Sequence, residues 1–296
     1  MSFGIADIAL IVTCAFWALN FVITKSAAGD DPDQFRLFVY NLIRFPLAGG
    51  LLMITALVMG YDVIPRGPYR WKLPFMSFVG TFLYQIFYMT GQNITTSGNI
   101  GIIYGSSPLM IVLLSLLFRI DRAHIATVAG VIVGFAGLSL VLFEGGNLNM
   151  DLGSFLMMLA TLCWASYAVF AKPVLDALPP IVVTAWMLLY GAVFQLPLAI
   201  YQLPAMQWQA LTGINIFYVL ASAFLSLYSG YTLFLYAISR IGPVRSGVFI
   251  NLTPVFTLLL AVVVRHETIR TVQVAGLAVI LAGIAITKIR TRGDVS

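Results

Sequence analysis

The chain has 296 residues and a mass of 32.3 kDa; 60% of it is apolar, only 9% is charged, the net charge is +5 and the mean hydropathy is +0.98. A soluble domain covers its surface with about 25% charged residues. This composition speaks against a water-soluble enzyme, a disordered chain, a nucleic-acid binder and a disulfide scaffold, and the two cysteines, Cys14 and Cys163, lie in apolar stretches as small hydrophobes.

A membrane-crossing helix needs about 20 mostly apolar residues, and ten stretches qualify. The first, 4–26, has no Lys or Arg before Asp7, carries Trp17 and Asn20, and ends on Lys25. A cleaved signal has a basic start and a shorter apolar run, so this stretch reads as a retained helix, with Thr13, Trp17, Asn20 and Thr24 on one stripe. The break Gly29-Asp30-Asp31-Pro32-Asp33 leads to the second, 37–59, which contains Arg44. After Gly60-Tyr61-Asp62 comes the third, 73–92, with Tyr84, Tyr88 and Gln92 together and Gln85 nearby. The fourth, 98–118, carries Tyr104 and Ser107 beside Pro108 and ends at the Arg119 to Arg122 break. The fifth, 124–143, is glycine-rich (Gly130, Gly134, Gly137) and ends at Glu144-Gly145-Gly146-Asn147. The sixth, 152–171, holds Trp164 and Tyr167; the seventh is 180–200; the eighth, 213–237, holds Tyr228 and Tyr231. The ninth, 246–264, carries Asn251 and Thr253 beside Pro254, and the tenth, 271–289, carries Gly276 and Gly283. The remainder has no room for a soluble domain.

Lysine and arginine set the orientation. With the N-terminus cytoplasmic, eleven basic residues fall inside: Arg66, Arg70, Lys72, Arg119, Arg122, Lys172, Arg240, Arg245, Lys288, Arg290 and Arg292. Four fall outside: Lys25, Arg36, Arg265 and Arg270. The bias places both termini in the cytoplasm, with the Arg265 to Arg270 loop as the exception.

Residues 98–140 match 244–286 at an offset of 146. Gly101, Pro108, Leu113, Leu114 and Arg119 pair with Gly247, Pro254, Leu259, Leu260 and Arg265; Val128, Ala129, Gly130, Val133, Ala136 and Gly137 pair with Val274, Ala275, Gly276, Val279, Ala282 and Gly283; Asp121 faces Glu267. At offset 147, Trp17-Ala18 and Lys25 match Trp164-Ala165 and Lys172. Five stretches therefore repeat as five, and an odd number forces the halves, 1–145 and 146–296, to enter the membrane from opposite sides. The fold class is all-α integral membrane, ten helices in two inverted five-helix repeats. Inverted repeats mark transporters with a site near the midplane between the halves. The outer Arg265 loop is then the inverted copy of the Arg119 loop.

Two five-helix repeats, each with a Trp-Ala first helix and a Gly-x6-Pro fourth helix, resemble the EamA branch of the drug/metabolite transporter superfamily over essentially the whole chain. Within it, the chain looks closest to the YddG-type exporters of aromatic amino acids. The resemblance implies export of amino acids and other small metabolites from bacterial cells through a central cavity.

Polar and aromatic residues in mid-span mark such a cavity. Aromatic residues also serve packing and interface belts, but a Tyr hydroxyl or Asn amide far from water needs a partner. The cavity set is Trp17, Asn20, Tyr84, Tyr88, Tyr104, Trp164, Tyr167, Tyr228, Tyr231 and Asn251, with Trp17, Trp164, Tyr84 and Tyr88 ranked first; as repeat mates the two Trp belong on facing walls. Pro108 and Pro254 each remove a mid-helix bond and are expected to act as paired hinges. The glycines of the fifth and tenth stretches permit close helix packing and offer a dimer face. Arg44 reads as a snorkelling or structural residue near the cytoplasmic half of the second helix, with a carboxylate anchor as the functional alternative.

Asp7 and Glu144 sit at span ends, and the small multidrug pumps' first-helix Glu has no counterpart beside Thr13 and Cys14. A buried-carboxylate proton cycle is therefore not expected. His124 and His266 lie at span ends, which gives no catalytic dyad or metal site, and no basic cluster points to a phosphorylated substrate. The expected partners are a small-molecule substrate and the lipid bilayer, with no nucleic acid and no cofactor, in a monomer or weak dimer of the bacterial inner membrane. The expected function is export of amino acids, aromatic or hydrophobic ones first, by alternating access; the alternatives are export of organic cations or drugs, and a non-transporting membrane scaffold or receptor.

Overall fold

In hydrocarbon every backbone N–H and C=O must be bonded within its own segment, and the α-helix does this for an apolar run. The computed structural model describes residues 4–28, 37–95, 100, 103–121, 124–142, 151–206, 208, 212–265 and 271–287; among them the regular elements are helical and no strand occurs. Helix α1 spans Ile5–Ala28 and α2 Leu37–Val58. Helix α3, Tyr69–Ser77, runs through a π-helical segment, Phe78–Leu83, into α4, Tyr84–Ile94. Then follow α5 Ser107–Leu117, α6 Ile125–Leu142, α7 Leu152–Leu175 and α8 Pro180–Gln202. Helix α9, Gly213–Ser222, runs through a second π segment, Ala223–Tyr231, into α10, Thr232–Phe249; α11 Leu252–Arg265 and α12 Thr271–Thr287 complete the order.

Among the described residues, four stretches are long and apolar enough to cross a membrane: Phe38–Val58, Leu152–Leu175, Pro180–Ala205 and Gly213–Phe249. Shorter apolar helices cover Ile5–Asn20, Ser107–Leu117, Ile125–Leu140 and Val274–Ile286. Their outward faces present Ile5, Val58, Ile125 and Leu152. A helix apolar all round suits a lipid solvent.

The 37 residues of Gly213–Phe249 would reach about 55 Å if straight, well beyond the hydrocarbon core of about 30 Å. They bend at Gly242, whose φ of +79° no ordinary side chain tolerates well, and Pro243 follows. The Asp121 carboxylate sits against Gly242 and accepts the Val244 N–H at 3.3 Å, in the place of an N-cap. The ninth stretch therefore starts at Pro243 and not at 246.

The expected mid-helix proline kinks are corrected to interruptions. Ser106 forms a turn just before α5, and Ile250 and Asn251 form one before α11. Pro108 is the second residue of α5 and Pro254 the third of α11, first-turn positions where a missing N–H removes no bond within the helix that follows.

Packing repeats between the halves. The α6–α12 and α2–α8 pairs join partners related by the repeat, α4 on α7 is mirrored by α10 on α1, and α5 on α7 is mirrored by α11 on α1. The π segments lie at corresponding positions. The α6–α12 seam is backbone against backbone: a Cβ at Gly137 would stand 2.7 Å from Ile280 N and 2.8 Å from Gly276 O, and one at Gly283 would stand 2.7 Å from Gly130 O and 2.6 Å from Gly134 N. These glycines are consumed inside the chain, so they offer no dimer face.

Candidate functional site

Helices α1 and α7 are the repeat mates that cross the middle of the packing, and each brings its tryptophan there. The Trp17 and Trp164 rings meet edge to face, with centroids 5.5 Å apart and an interplanar angle of 74°. They are touching partners and not opposed walls. Phe234 stacks on Trp164 at 5.5 Å and lies 5.4 Å from Trp17; Tyr231 lies 5.7 Å from Trp17 and 5.9 Å from Trp164. Tyr84 follows at 5.9 Å from Trp164, stacks on Tyr88 at 5.6 Å and lies 6.3 Å from Tyr104, with the two hydroxyls 3.4 Å apart. Tyr167 packs on Trp164 at 5.5 Å. All these separations are within ring-contact range.

Glycines in the π segments make room for this cluster. A Cβ at Gly230 would meet Trp17 Nε1 at 2.8 Å, and one at Gly80 would meet Tyr167 Cβ at 2.6 Å. Trp164 and Tyr167 are buried, whereas Trp17, Tyr84, Tyr88, Tyr104 and Tyr231 are half-buried. The indole N–H groups of Trp17 and Trp164 and the Tyr167 hydroxyl have no acceptor among the described residues. The cluster thus combines apolar faces with buried donors, a composition that suits a ligand with one flat apolar part and one polar part. A separate apolar cavity of about 300 Å³ lies between α3 and α7, lined by Phe75, Met76, Val79, Phe170 and Val174, with Tyr167 at its wall and Lys72 at its edge.

Seven of the ten expected cavity residues and the unanticipated Phe234 share this cluster. Tyr228 points elsewhere: its hydroxyl is 3.0 Å from Thr55 Oγ1, and its ring stacks on Phe224 at 5.1 Å. Asn251 is buried in the break before α11, against Gly134 of α6. Asn20 belongs to a polar group next to the rings. Its Oδ1 accepts from Ser222 Oγ and from Arg44 at 3.4 Å; Arg44 also donates to Asn41 Oδ1 at 3.3 Å, and Asn41 Nδ2 donates to Gln195 Oε1 at 3.0 Å.

Arg44 is the correction with most consequence. It is 6% exposed, so it does not snorkel. It lies seven residues into α2, the outer end in the expected orientation and not the cytoplasmic half. Asn41 lies one turn before Arg44, a polar i, i+3 pair that was visible in the sequence; Ser222 and Gln195 carried no such signal.

At the opposite end of α1, buried Asp7 pairs with Arg245 of α10 at 3.2 Å. Outside the apolar segments, the Ser154 N–H donates to Asp151 at 2.7 Å at the start of α7 and holds that carboxyl below its usual range. Among the described residues no group of three His, Cys, Asp or Glu could hold a metal. Asp30, Asp31, Asp33, Glu144 and His266, and the side chains of Thr24 and Gln92, lie outside the described residues.

Comparison with known proteins agrees with the repeat. The model of the EamA-like transporter family matches twice, over residues 4–143 and 151–289. The uncharacterized transporter YetK of Bacillus subtilis is 23% identical over 88% of this chain and 81% of its own length. An uncharacterized transporter of Archaeoglobus fulgidus is 27% identical over 94% and 97%. A probable terminal-alkyne amino-acid exporter of Streptantibioticus cattleyicolor is 25% identical over 96% and 94%. One crystal structure, 21% identical, superposes with a TM-score of 0.81 over 96% of each chain and shares the fold. Two family matches that cover nearly the whole chain, on a helical scaffold whose packing repeats between halves, establish that this multi-pass membrane protein belongs to the EamA-like transporter family.

Proposed function

We propose that the protein exports small amphipathic metabolites, amino acids with aromatic or other large apolar side chains foremost, from the bacterial cytoplasm. The observation that carries this reading is the ring cluster drawn from both halves, with Trp17 against Trp164 at 5.5 Å. A flat substrate parting these rings replaces ring contacts with ring contacts, so entry costs little net packing. The ten apolar stretches act as ten crossings in two inverted halves, 1–145 and 146–296, with both termini in the cytoplasm of a monomer or weak dimer in the inner membrane. Rocking of one half against the other exposes the cluster to each side in turn. The name of the Streptantibioticus relative, an amino-acid exporter, and the likeness to aromatic amino acid exporters support the substrate class.

Counterflow in proteoliposomes tests this. Vesicles preloaded with unlabelled phenylalanine should accumulate labelled phenylalanine, tyrosine and leucine, and far less glycine. Absence of counterflow with every amino acid would overturn the proposal.

A further inference from the structure

We infer that Arg44 is the anion site of this transporter: it receives the carboxylate of a substrate whose apolar group lies on the rings. This rests on the export reading above and names the polar half of the substrate.

Arg44 is buried, yet among the described residues it forms no ion pair, unlike Arg66 with Asp62, Lys172 with Asp176 and Arg245 with Asp7. Its partners are neutral. Asn41 and Asn20 accept at 3.3 and 3.4 Å, at the long end for hydrogen bonds, and the Tyr40 ring faces the guanidinium at 4.5 Å. Arg44 Nε has no acceptor among the described residues. A desolvated charge without a counter-charge is costly, and proteins normally pair it.

The neighbouring groups are already committed in the same sense. Asn20 Oδ1 accepts from both Arg44 and Ser222, and Gln195 Oε1 accepts from Asn41. What remains is a surplus of donors, Arg44 Nε and Gln195 Nε2. An anion with two oxygens satisfies such a surplus, and the planar guanidinium matches a carboxylate in fork geometry. An organic cation would be repelled.

The position fits one small molecule. Asn20 follows Trp17 by three residues on α1, a rise of about 4.5 Å. Tyr231 packs on Trp17 at 5.7 Å. Asn20, which accepts from Arg44 at 3.4 Å, thus lies about one helical turn from the Trp17 ring of the cluster.

The test uses the purified full chain and three probes of one shape: 3-phenylpropionate, its neutral amide 3-phenylpropanamide, and the cation 3-phenylpropylamine. Thermal midpoints are followed against probe concentration. We expect wild type to be stabilised by the acid, with the amide needing at least about tenfold more for the same shift and the amine giving none; one charge-assisted bond is worth that factor or more. Arg44→Gln should abolish the acid's advantage and Arg44→Lys should keep part of it. An equal response of wild type to acid and amide, no response to the acid, or an acid preference that survives Arg44→Gln would overturn the assignment. If Arg44→Gln does not fold, the wild-type ratio and Arg44→Lys still decide. An intact acid preference without amino-acid counterflow would count against the export reading and leave the anion site standing.

Discussion

The thiol sulfur of Cys14 lies 3.1 Å from the carbonyl oxygen of Phe249, the last residue of α10. That carbonyl faces a helix interruption, where internal donors run out. In the other half the corresponding carbonyl is that of Ile103, and Thr161 Oγ1 lies 3.4 Å from it. Cys14 and Thr161 are repeat mates at the offset of 147 that relates Trp17 to Trp164. Each Trp-bearing helix thus supplies a donor to the broken helix of the opposite half.

Thr161 shares its one hydrogen between Ile103 O and Met157 O, the latter at 2.8 Å. Thr161→Val keeps the shape and removes the donor, so unfolding should cost about 1 kcal/mol less. Cys14→Thr should be tolerated, because the mate position holds Thr and O–H is a stronger donor than S–H. Thermal midpoints of the purified variants check both; an unchanged midpoint for Thr161→Val would show that the cross-half contact contributes nothing.

Tyr84 touches Tyr88, Tyr104 and Trp164 and is half-buried, so its loss perturbs the cluster less than truncating buried Trp164. Ring pairs are worth about 0.5–1.5 kcal/mol beyond area burial. Tyr84→Ala should therefore lower counterflow of phenylalanine relative to alanine by about two- to tenfold. Equal losses for both substrates would point to packing damage instead.

The crossings, the repeat and most of the ring cluster were legible because Trp, Gly, Pro and Arg recur at fixed offsets in a chain otherwise made of interchangeable aliphatics. Phe234 had no such marker. Tyr228 stands three residues from Tyr231, a spacing that shares a face on an α-helix. Both lie in the π segment Ala223–Tyr231, where a turn takes more residues; the Tyr228 hydroxyl meets Thr55 and the Tyr231 ring meets Trp17. Arg44 looked able to snorkel; its burial depends on Gln195 and Ser222, brought to it from the other half of the chain.

Asp7 is the one acid buried among the described residues, and it is paired with Arg245 ten residues before Trp17. That is about 15 Å along the helix, too far for it to protonate with the substrate at the rings. Substrate flux in proteoliposomes should be nearly unchanged when the pH gradient is collapsed; a large loss would sink this prediction. Arg245→Gln removes the charge that pairs with buried Asp7 at 3.2 Å and should destabilise by about 1–3 kcal/mol, less than for a fully buried pair because Arg245 is partly exposed. Adding Asp7→Asn should recover part of that loss in thermal unfolding.

Pro108 and Pro254 follow the two interruptions at matching places, within the first turns of α5 and α11. Each lacks the N–H that would bond the carbonyl four residues back, Tyr104 in one half and Ile250 in the other. Ile250 O instead accepts the Thr253 N–H at 2.9 Å, and in the other half the residue before Tyr104, Ile103, accepts the Ser106 N–H at 3.1 Å, each a tight three-residue closure. The short turn before each proline is therefore joined to the following helix without a continuous ladder, the arrangement a hinge requires. Alanine at either position returns the missing donor, lets the ladder run through and stiffens that half. Pro108→Ala and Pro254→Ala should each slow turnover by about two- to tenfold, the scale of up to about 1.4 kcal/mol on the barrier. The rings and Arg44 are untouched, so the substrate concentration for half-maximal counterflow should change little. Cysteine pairs placed at the inner and outer mouths should crosslink unequally, because a stiffened half favours one facing state. Wild-type turnover together with wild-type crosslinking in both variants would reduce the breaks to static features of the scaffold.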